Sequence, residues 1–335
     1  MILSSKGKRR DLDNLNLDND AFSDCRQQAL DFLLNNPSSA ASAIDSFVEC
    51  AELISASIIQ QSMDEVSFNA EARKNLASAL ENLTCDDDNL ETSEAIETKI
   101  WSHNDRNITV NILLDRPHSQ IHLLENFITE DECKVVEKKA RLSGFSQATT
   151  FAAQGGLEIS KHRKATQASV YTPYIFKYFG SPVALLKEKV LEYTNSVTNY
   201  DLDGYWQEQH LVAIKYIGRG EDDPEPDQYL PHCDGKCEGR QFREGSRVAT
   251  MVMYCQVPEK GGATNFRNSG IHIVPKPGNA VFFSYMGDDE IMDNGFTEHS
   301  GCPVIQGNKT IITRWMRKGI NSSNQKETLY KIEYV

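Results

Sequence analysis

The sequence predicts an α+β fold in which an antiparallel β-sandwich or jelly-roll barrel is flanked by helices. Short β runs recur in the second half of the chain, at 211–217, 229–234, 247–257, 271–274, 280–285 and 310–316. Many short strands separated by turn residues are typical of closed or sandwiched antiparallel sheets, and not of a parallel α/β sheet. Two helical patterns precede these strands and fit helices that cover the outer face of the barrel.

Composition limits the classes of function. With 335 residues, of which 39% are hydrophobic, the chain can bury one large core or two smaller ones. A net charge of −13 argues against general binding of nucleic acid, which relies on Lys and Arg to neutralise phosphates. The sequence contains no apolar run of about 18 residues, so no membrane span is predicted. Its charged N-terminus lacks the apolar segment of a signal peptide.

The N-terminal part of the sequence predicts a small helical region. Residues 1–21 are polar and charged, which is typical of a disordered lead. Within 22–100, apolar residues recur at helical spacing and predict two or three helices, the last around 70–83. The acidic stretch Cys85–Glu97 is predicted to be a linker. Packing or oligomerisation is the expected role of this region.

The main domain is predicted to span residues 110–320, and the polar tail 321–335 is expected to be loose. Thr129 and Glu132 form the pattern of a capping box and predict the start of one helix. Ser181-Pro182 predicts the start of a second helix, which ends near Val197.

The cysteines leave several interpretations open. Eight of them, at 25, 50, 85, 133, 233, 237, 255 and 302, are too sparse in a chain of this length to define a disulfide scaffold. Cys233 and Cys237 are the only close pair. We interpret them as two ordinary thiols, with a local disulfide or a metal site as alternatives.

A metal site is predicted at Tyr229-Leu230-Pro231-His232-Cys233-Asp234. Side chains two residues apart on a strand lie on the same face, so His232 and Asp234 can aim an imidazole and a carboxylate at one point. His299, far along the sequence, would complete a set of two His and one carboxylate. This set leaves one side of a metal open, as in non-heme Fe(II) oxygenases.

Lys309 predicts that the same pocket binds an anion. Odd positions of the last strand share one face, which carries Lys309, Ile311, Thr313, Trp315 and Arg317. If that face points into the barrel, Lys309 is a buried cation with no acidic partner nearby in sequence, which is costly. An anionic ligand such as the distal carboxylate of a keto acid would offset that cost. The alternative is an exposed lysine in the turn at Gly307-Asn308.

Together these positions resemble the catalytic domain of the prolyl 4-hydroxylase α-subunit family. These enzymes are Fe(II)- and 2-oxoglutarate-dependent dioxygenases with a double-stranded β-helix core. The resemblance covers 111–319 and rests on Tyr229-x-Pro-His232-x-Asp234, Arg247-x-Ala-Thr250, Gly261-Gly262-Ala263-Thr264-x-Phe266, Pro275-x-x-Gly278-x-Ala280-x-Phe282, His299-x-x-Cys302-Pro303-Val304-x-x-Gly307-x-Lys309 and Trp315.

By this resemblance, His232, Asp234 and His299 would hold Fe(II), and Lys309 would pair with the C5 carboxylate of 2-oxoglutarate. Tyr216 and Trp315 would also contact this cosubstrate. The implied reaction, with O2 consumed and L-ascorbate as a further cofactor, decarboxylates 2-oxoglutarate to succinate and hydroxylates proline at C4.

The resemblance also implies a peptidyl-proline substrate, which we expect to be collagen-like. Tyr229 and Arg247 match residues near the peptide groove, and Arg317 stands where a histidine is usual. An acidic insertion at 221–227 lies beside the groove and either selects basic peptides or forms a solvated loop. Relatives of this kind work in the lumen of the endoplasmic reticulum, with a disulfide-isomerase partner or as homo-oligomers, and we expect the same here.

Other functions are kept as alternatives. A dioxygenase of this type could hydroxylate another residue or a non-collagen protein. A non-catalytic peptide-binding module on the same fold is a rival, although such modules usually lose at least one site residue. A Zn hydrolase could use the same three ligands, but it would give Lys309 no role.

Overall fold

The computed structural model describes residues 23–36, 41–56, 84–87, 89–151, 157–159, 163–207 and 210–320. The chain divides into two compact units, Met1–Lys74 and Asn75–Val335. The expected disordered lead 1–21, the predicted helix at 70–83 and the tail 321–335 lie outside the described residues. None of the helices within the described ranges is long and apolar enough to span a membrane.

In the first unit, the structure describes two helices. Helix α1 spans Ser23–Asn35 and helix α2 spans 41–56. The Cys25–Cys50 disulfide joins them. This agrees with the helical spacing of apolar residues in this part of the sequence.

The second unit consists mainly of antiparallel β-strands. In chain order these are β1 (Glu97–His103), β2 (Arg106–Arg116), β3 (Ser119–Glu125), β4 (Ser146–Gln147), β5 (Thr149–Phe151), β6 (Leu157–Ile159), β7 (Arg163–Lys164), β8 (Thr166–Tyr171), β9 (His210–Ile217), β10 (Asp227–His232), β11 (Arg247–Gln256), β12 (Lys260–Gly261), β13 (Thr264–Phe266), β14 (Ile271–Ile273), β15 (Ala280–Ser284), β16 (His299–Gln306) and β17 (Asn308–Arg317). The predicted sheet-rich character of this region is confirmed.

These strands form two main sheets. The major sheet has the order β1-β2-β3-β15-β11-β17-β9-β8-β4, and the minor sheet has the order β14-β13-β16-β10-β7, with β12 paired to β16. Strands β5 and β6 form a separate hairpin. Apolar side chains from both sheets, among them Met251, Phe266 and Phe283, are fully buried in one core. The two antiparallel sheets therefore enclose a shared core, as in a β-sandwich.

Two longer helices pack against the major sheet. Helix α3 spans Glu130–Ser143 and begins with the predicted capping box of Thr129 and Glu132. Helix α4 spans Pro182–Val197 as predicted, although Ser181 forms no side-chain cap bond. Helix α3 contacts β8 and β9, and α4 contacts β17, so both cover the sheet as expected. Two short 3₁₀ helices, Tyr174–Phe179 and Gly204–Trp206, flank α4.

The cysteine interpretation is wrong in one respect. All eight cysteines form disulfides, and the three in the second unit are Cys85–Cys302, Cys133–Cys255 and Cys233–Cys237. The sequence could not show this, because two of these three pairs join residues more than a hundred positions apart, 217 and 122.

The predicted acidic linker is attached to the minor sheet along much of its length. Beside the Cys85–Cys302 bond, Asn265 donates to Thr84, and the hydroxyl groups of Thr92 and Ser93 accept from the backbone of β14 and its following residue. This stretch is therefore part of the second unit and not a free connection.

Candidate metal centre and pocket

Three predicted ligands converge at the end of one strand pair. His232 of β10 lies directly opposite His299 of β16 in the antiparallel register. The carboxylate of Asp234 lies 3.6 Å from His232 Nε2 and 4.0 Å from His299 Nε2. Ligand atoms of the three residues all lie within 4.8 Å of one another, and no other such group is found among the described residues.

The prediction of a strand from 229 to 234 is wrong at its end. Strand β10 ends at His232, and Asp234 lies in a bend two residues beyond it. The carboxylate nevertheless projects toward the same point as His232.

Both imidazoles are oriented by the backbone. Nδ1 of His232 bonds to the carbonyl oxygen of Leu230 at 2.9 Å, and Nδ1 of His299 bonds to that of Thr297 at 3.0 Å. A carbonyl can only accept, so Nδ1 carries the proton on each ring. Nε2 is then left unprotonated, as a metal requires.

The electrostatics of the three residues also favour a metal ion. Burial, with His232 nearby, lowers the pKa of His299 to about 4, so this imidazole is neutral at pH 7. Burial alone would raise the pKa of Asp234, but the neighbouring imidazoles of His232 and His299 and the Arg247 cation hold it well below its usual range. Neutral imidazoles and an ionised carboxylate are the forms that bind metals.

Aromatic and hydroxyl groups hold this cluster in place. The Tyr229 ring stacks on His232 with the centroids 3.5 Å apart, and Phe283 packs at 4.6 Å from His299. The Thr250 hydroxyl donates to Asp234 Oδ2 at 2.8 Å and lies 3.1 Å from the Tyr285 hydroxyl.

A pocket extends from the cluster into the space between the sheets. Besides the three ligands it is lined by Tyr216, Tyr229, Thr264, Lys309, Thr313 and Trp315, among others. The structure therefore brings seven of the nine predicted site residues together. Four of the five residues on the predicted face of the last strand, all but Arg317, line this pocket.

Lys309 is a buried cation, as one of the two sequence interpretations expects. Its side chain is 3% exposed, and Nζ donates to the carbonyl oxygen of Gly262 at 2.6 Å. It forms no ion pair with any residue that the structure describes. Burial lowers the pKa of Lys309 to about 7. A pocket with such a group favours an anionic ligand.

Two predicted substrate residues lie at different distances from the pocket. Arg247 lies just outside it, with Cζ 4.1 Å from the centroid of the Trp315 ring. Arg317 is buried elsewhere, and its guanidinium donates to the carbonyl oxygen of Gly245. The role of Arg317 in substrate binding stays a prediction, without support from its position.

Sequence reasoning missed Arg163. This residue is 5% exposed and lines the pocket, and its Cζ lies 4.7 Å from the Tyr229 ring centroid. It reaches the site because β7 pairs with β10, where Arg163 lies opposite Tyr229. No spacing signal links the two residues, since the contact joins strands far apart in sequence.

The acidic insertion is partly structural. Asp227 is buried and accepts hydrogen bonds from the Ile217 N–H and the Arg219 guanidinium, and Asp223 also pairs with Arg219. Glu221 forms an ion pair with Lys260. Much of its charge is thus neutralised within the chain.

The known proteins that are similar to this chain are oxygenases of one kind. Residues 221–317, which contain all three ligands and Lys309, match the 2OG-Fe(II) oxygenase superfamily. Prolyl 4-hydroxylase subunit alpha-1 of Gallus gallus is 27% identical over 213 residues, which are 62% of this chain and 37% of the relative. A probable prolyl 4-hydroxylase 10 of Arabidopsis thaliana is 26% identical over 230 residues, 62% of this chain and 71% of the relative.

Among solved structures, a viral collagen prolyl hydroxylase of Paramecium Bursaria Chlorella virus-1, in complex with 2OG, has a TM-score of 0.46 and 23% identity. The match covers 59% of this chain and 96% of the viral chain. The match to the alpha-1 relative spans little more than a third of that relative's length, 37%. Residues 221–317 are thus similar to the 2OG-Fe(II) oxygenase superfamily, and these matches support a 2-oxoglutarate-dependent dioxygenase domain similar to those of prolyl 4-hydroxylases.

Proposed function

We propose that this protein hydroxylates proline residues at C4 in a peptide or protein substrate, with collagen-like sequences as the preferred class. The reaction would convert 2-oxoglutarate and O2 to succinate and CO2 on a double-stranded β-helix core. One observation carries this proposal: a cation without an acidic partner among the described residues, Lys309, shares a pocket with the His232, Asp234 and His299 cluster.

The residues present fit Fe(II). Two imidazole nitrogens and one carboxylate are the donor set of non-heme Fe(II) oxygenases, and three ligands on one side leave other positions open. Fe(II) bound here would supply the activation of O2. The chain's part is to fix its ligands, through the Nδ1 bonds of the imidazoles and the Thr250 bond to Asp234.

The residues also fit 2-oxoglutarate. Lys309 would bind the carboxylate distant from the metal, and Tyr216 lies beside it, with Lys309 Nζ 5.6 Å from the Tyr216 ring centroid. The apolar walls, including Ile311 and Val252, would shield the ion pair between Lys309 and this carboxylate from water and so strengthen it. Trp315 also lines the pocket, next to Arg247.

The floor of the pocket continues along the major sheet and could carry a peptide. Ile214 of β9 lines the pocket and pairs with Gln167 of β8, and paired residues of antiparallel strands project from one face. Tyr171, four residues beyond Gln167, projects from the same face and is 66% exposed. Exposed aromatic rings suit extended proline-rich peptides.

The opposite face of β8 is covered, which supports this assignment. Ala168 and Val170 alternate with the exposed residues and are buried, and helix α3 packs against the strand. The substrate would therefore lie on the uncovered face, between Tyr171 and the metal cluster.

Other parts of the proposal have indirect support. Full pairing of the eight cysteines is typical of proteins in oxidising compartments, which favours the endoplasmic reticulum lumen. L-ascorbate as a cofactor, and a disulfide isomerase or a second copy as partner, are proposed from the family resemblance alone.

The test is an assay of the full chain with Fe(II), 2-oxoglutarate, ascorbate and proline-rich peptides, including X-Pro-Gly repeats. We expect a peptide that gains one oxygen at proline, with one succinate formed for each, and loss of both in His232→Ala. The surface substitution His118→Ala serves as the matched control. Succinate without a modified peptide would reject the substrate class, and metal binding without succinate would favour the peptide-binding module.

A further inference from the structure

Asp234 lies in a segment that the sheets do not hold. The pairing of His232 with His299 is at the end of β10, and the next strand begins at Arg247. Within the described chain, the backbone groups of 233–238 form no backbone–backbone hydrogen bond. The first such bond beyond them runs from the Gly239 N–H to the Asp293 carbonyl at 3.0 Å. A ligating carboxylate in this segment needs another constraint.

The Cys233–Cys237 disulfide supplies that constraint. Cys233 lies between the two ligands of the motif, and its bond to Cys237, four residues on, closes a small ring that contains Asp234. The ring restricts the backbone on both sides of the carboxylate. The disulfide therefore constrains Asp234, the one ligand of the three that lies outside a strand.

The ring also packs against the core at Gly235, the residue that follows Asp234. A Cβ on Gly235 would lie only 2.4 Å from the Tyr285 ring and 3.2 Å from the Arg247 carbonyl oxygen. Tyr285 in turn lies beside Thr250, which donates to Asp234. Ring, tyrosine and threonine thus form one contiguous support for the carboxylate.

We expect this disulfide to contribute least to global stability among the four. The residues it joins are 4 apart, against 25, 122 and 217 for the others. A disulfide stabilises a fold mainly by restricting the unfolded chain, and this effect grows with the length of the closed loop. Loss of the Cys233–Cys237 disulfide should therefore affect mainly the residues inside and beside the ring.

We propose that the Cys233–Cys237 disulfide is a positioning element for the Asp234 carboxylate, and that the metal affinity of the site depends on it. The inference rests on the proposed function insofar as the three residues are taken as a metal site. Loss of groups that orient metal ligands weakens affinity by about 10- to 100-fold, and we expect a change in this range.

The test compares the full-length native protein with the double variant Cys233→Ala/Cys237→Ala. Co(II) serves as the probe metal, titrated at pH 7 and followed by its visible absorption. We expect the dissociation constant to rise at least tenfold. The saturated spectrum should approach that of Asp234→Ala, a signature that a purely structural role would not produce. Melting of the metal-free protein should change little.

The variant Cys25→Ala/Cys50→Ala is the matched control, because it removes a disulfide from the other unit. It should bind Co(II) as the native protein does. Peptide mapping of the native protein should recover Cys233 linked to Cys237. Free thiols at these positions, or native affinity and spectrum in the double variant, would overturn the proposal.

A second measurement covers poor folding of the variant. A dithiol can reduce the native bond, forming two thiols and its own disulfide, and reoxidation should restore the Co(II) affinity. Affinity unchanged throughout this cycle, with reduction verified by thiol labelling, also contradicts the inference. Failure of the proposed function would show differently, as Co(II) binding that depends on the disulfide but no hydroxylated peptide.

Discussion

The backbone of Gly262 and the side chain of Lys309 are joined by a buried hydrogen bond of 2.6 Å. Gly262 has a φ of +71°, a conformation that residues with a Cβ rarely adopt. A Cβ there would lie 2.8 Å from Pro258 Cγ and 3.4 Å from Lys309 Cδ. The turn that holds the pocket's cation therefore requires glycine.

Substitution Gly262→Ala should impair 2-oxoglutarate binding. We expect a rise of several-fold in the dissociation constant, measured by calorimetry, and about 1–3 kcal/mol less free energy of unfolding from backbone strain. The matched control is Gly270→Ala, because Gly270 has a similar φ of +66° with no neighbouring atom within 4 Å. Equal loss of 2-oxoglutarate affinity in both variants would show that general strain, and not the Lys309 contact, is responsible.

Substitution Lys309→Ala should remove the anion partner of the pocket. Truncation of one member of a buried charge pair costs about 2–5 kcal/mol, roughly 30-fold or more in affinity. The expected result is a large rise in the KM for 2-oxoglutarate with metal binding retained. Lys215→Ala, on neighbouring strand β9 and outside the pocket, is the control. Unchanged KM in Lys309→Ala would refute the assigned role.

Binding of 2-oxoglutarate should weaken at alkaline pH. Burial lowers the pKa of Lys309 to about 7 in the free protein, so the fraction of ammonium falls as the pH rises through that value. The anion binds the charged form, and affinity should therefore decrease about tenfold per pH unit above about 8. Calorimetry in buffers of different ionisation enthalpy should detect proton uptake on binding at pH 8, and its absence would contradict the prediction.

Substitution Tyr171→Ala should weaken peptide binding without affecting 2-oxoglutarate. Loss of one exposed aromatic contact is expected to raise the KM for a proline-rich peptide about 3- to 10-fold, equivalent to about 1 kcal/mol. Tyr178→Ala is the control, since Tyr178 is also 66% exposed but lies on a 3₁₀ helix. If the two variants raise the KM equally, the peptide path along β8 is wrong.

Acid should destabilise the protein through His122. Burial lowers the pKa of this imidazole to about 4, and Nδ1 bonds to the Tyr193 hydroxyl. Between pH 6.5 and 4 the unfolded chain binds a proton that the folded protein does not. The free energy of unfolding therefore decreases as the pH is lowered, by about 2 kcal/mol at pH 5. Urea unfolding at pH 7 and pH 5 should show a smaller difference in His122→Gln than in the native protein. The half-buried His118 serves as the control, and His118→Gln should retain the full difference.

Local pattern was sufficient for much of the fold. Apolar runs bounded by turn residues located β9, β11, β15 and β17 to within about two residues, because these strands are continuous and largely apolar. Strand β16 was not predicted, since Gly301 and Pro303 interrupt its pattern. Its formation depends on pairing with β10, β12 and β13.

The sequence by itself determined the chemistry of the candidate site. Spacing in one motif placed His232 beside Asp234, and a second motif supplied His299 and Lys309. Tertiary structure decided everything that depends on contacts between distant strands: the register that sets His232 opposite His299, the arrival of Arg163 over Tyr229, the burial of Lys309 and the pairing of the cysteines. The physical reason is that residue type and spacing act locally, whereas register, burial and disulfide partners exist only once the sheets have packed together.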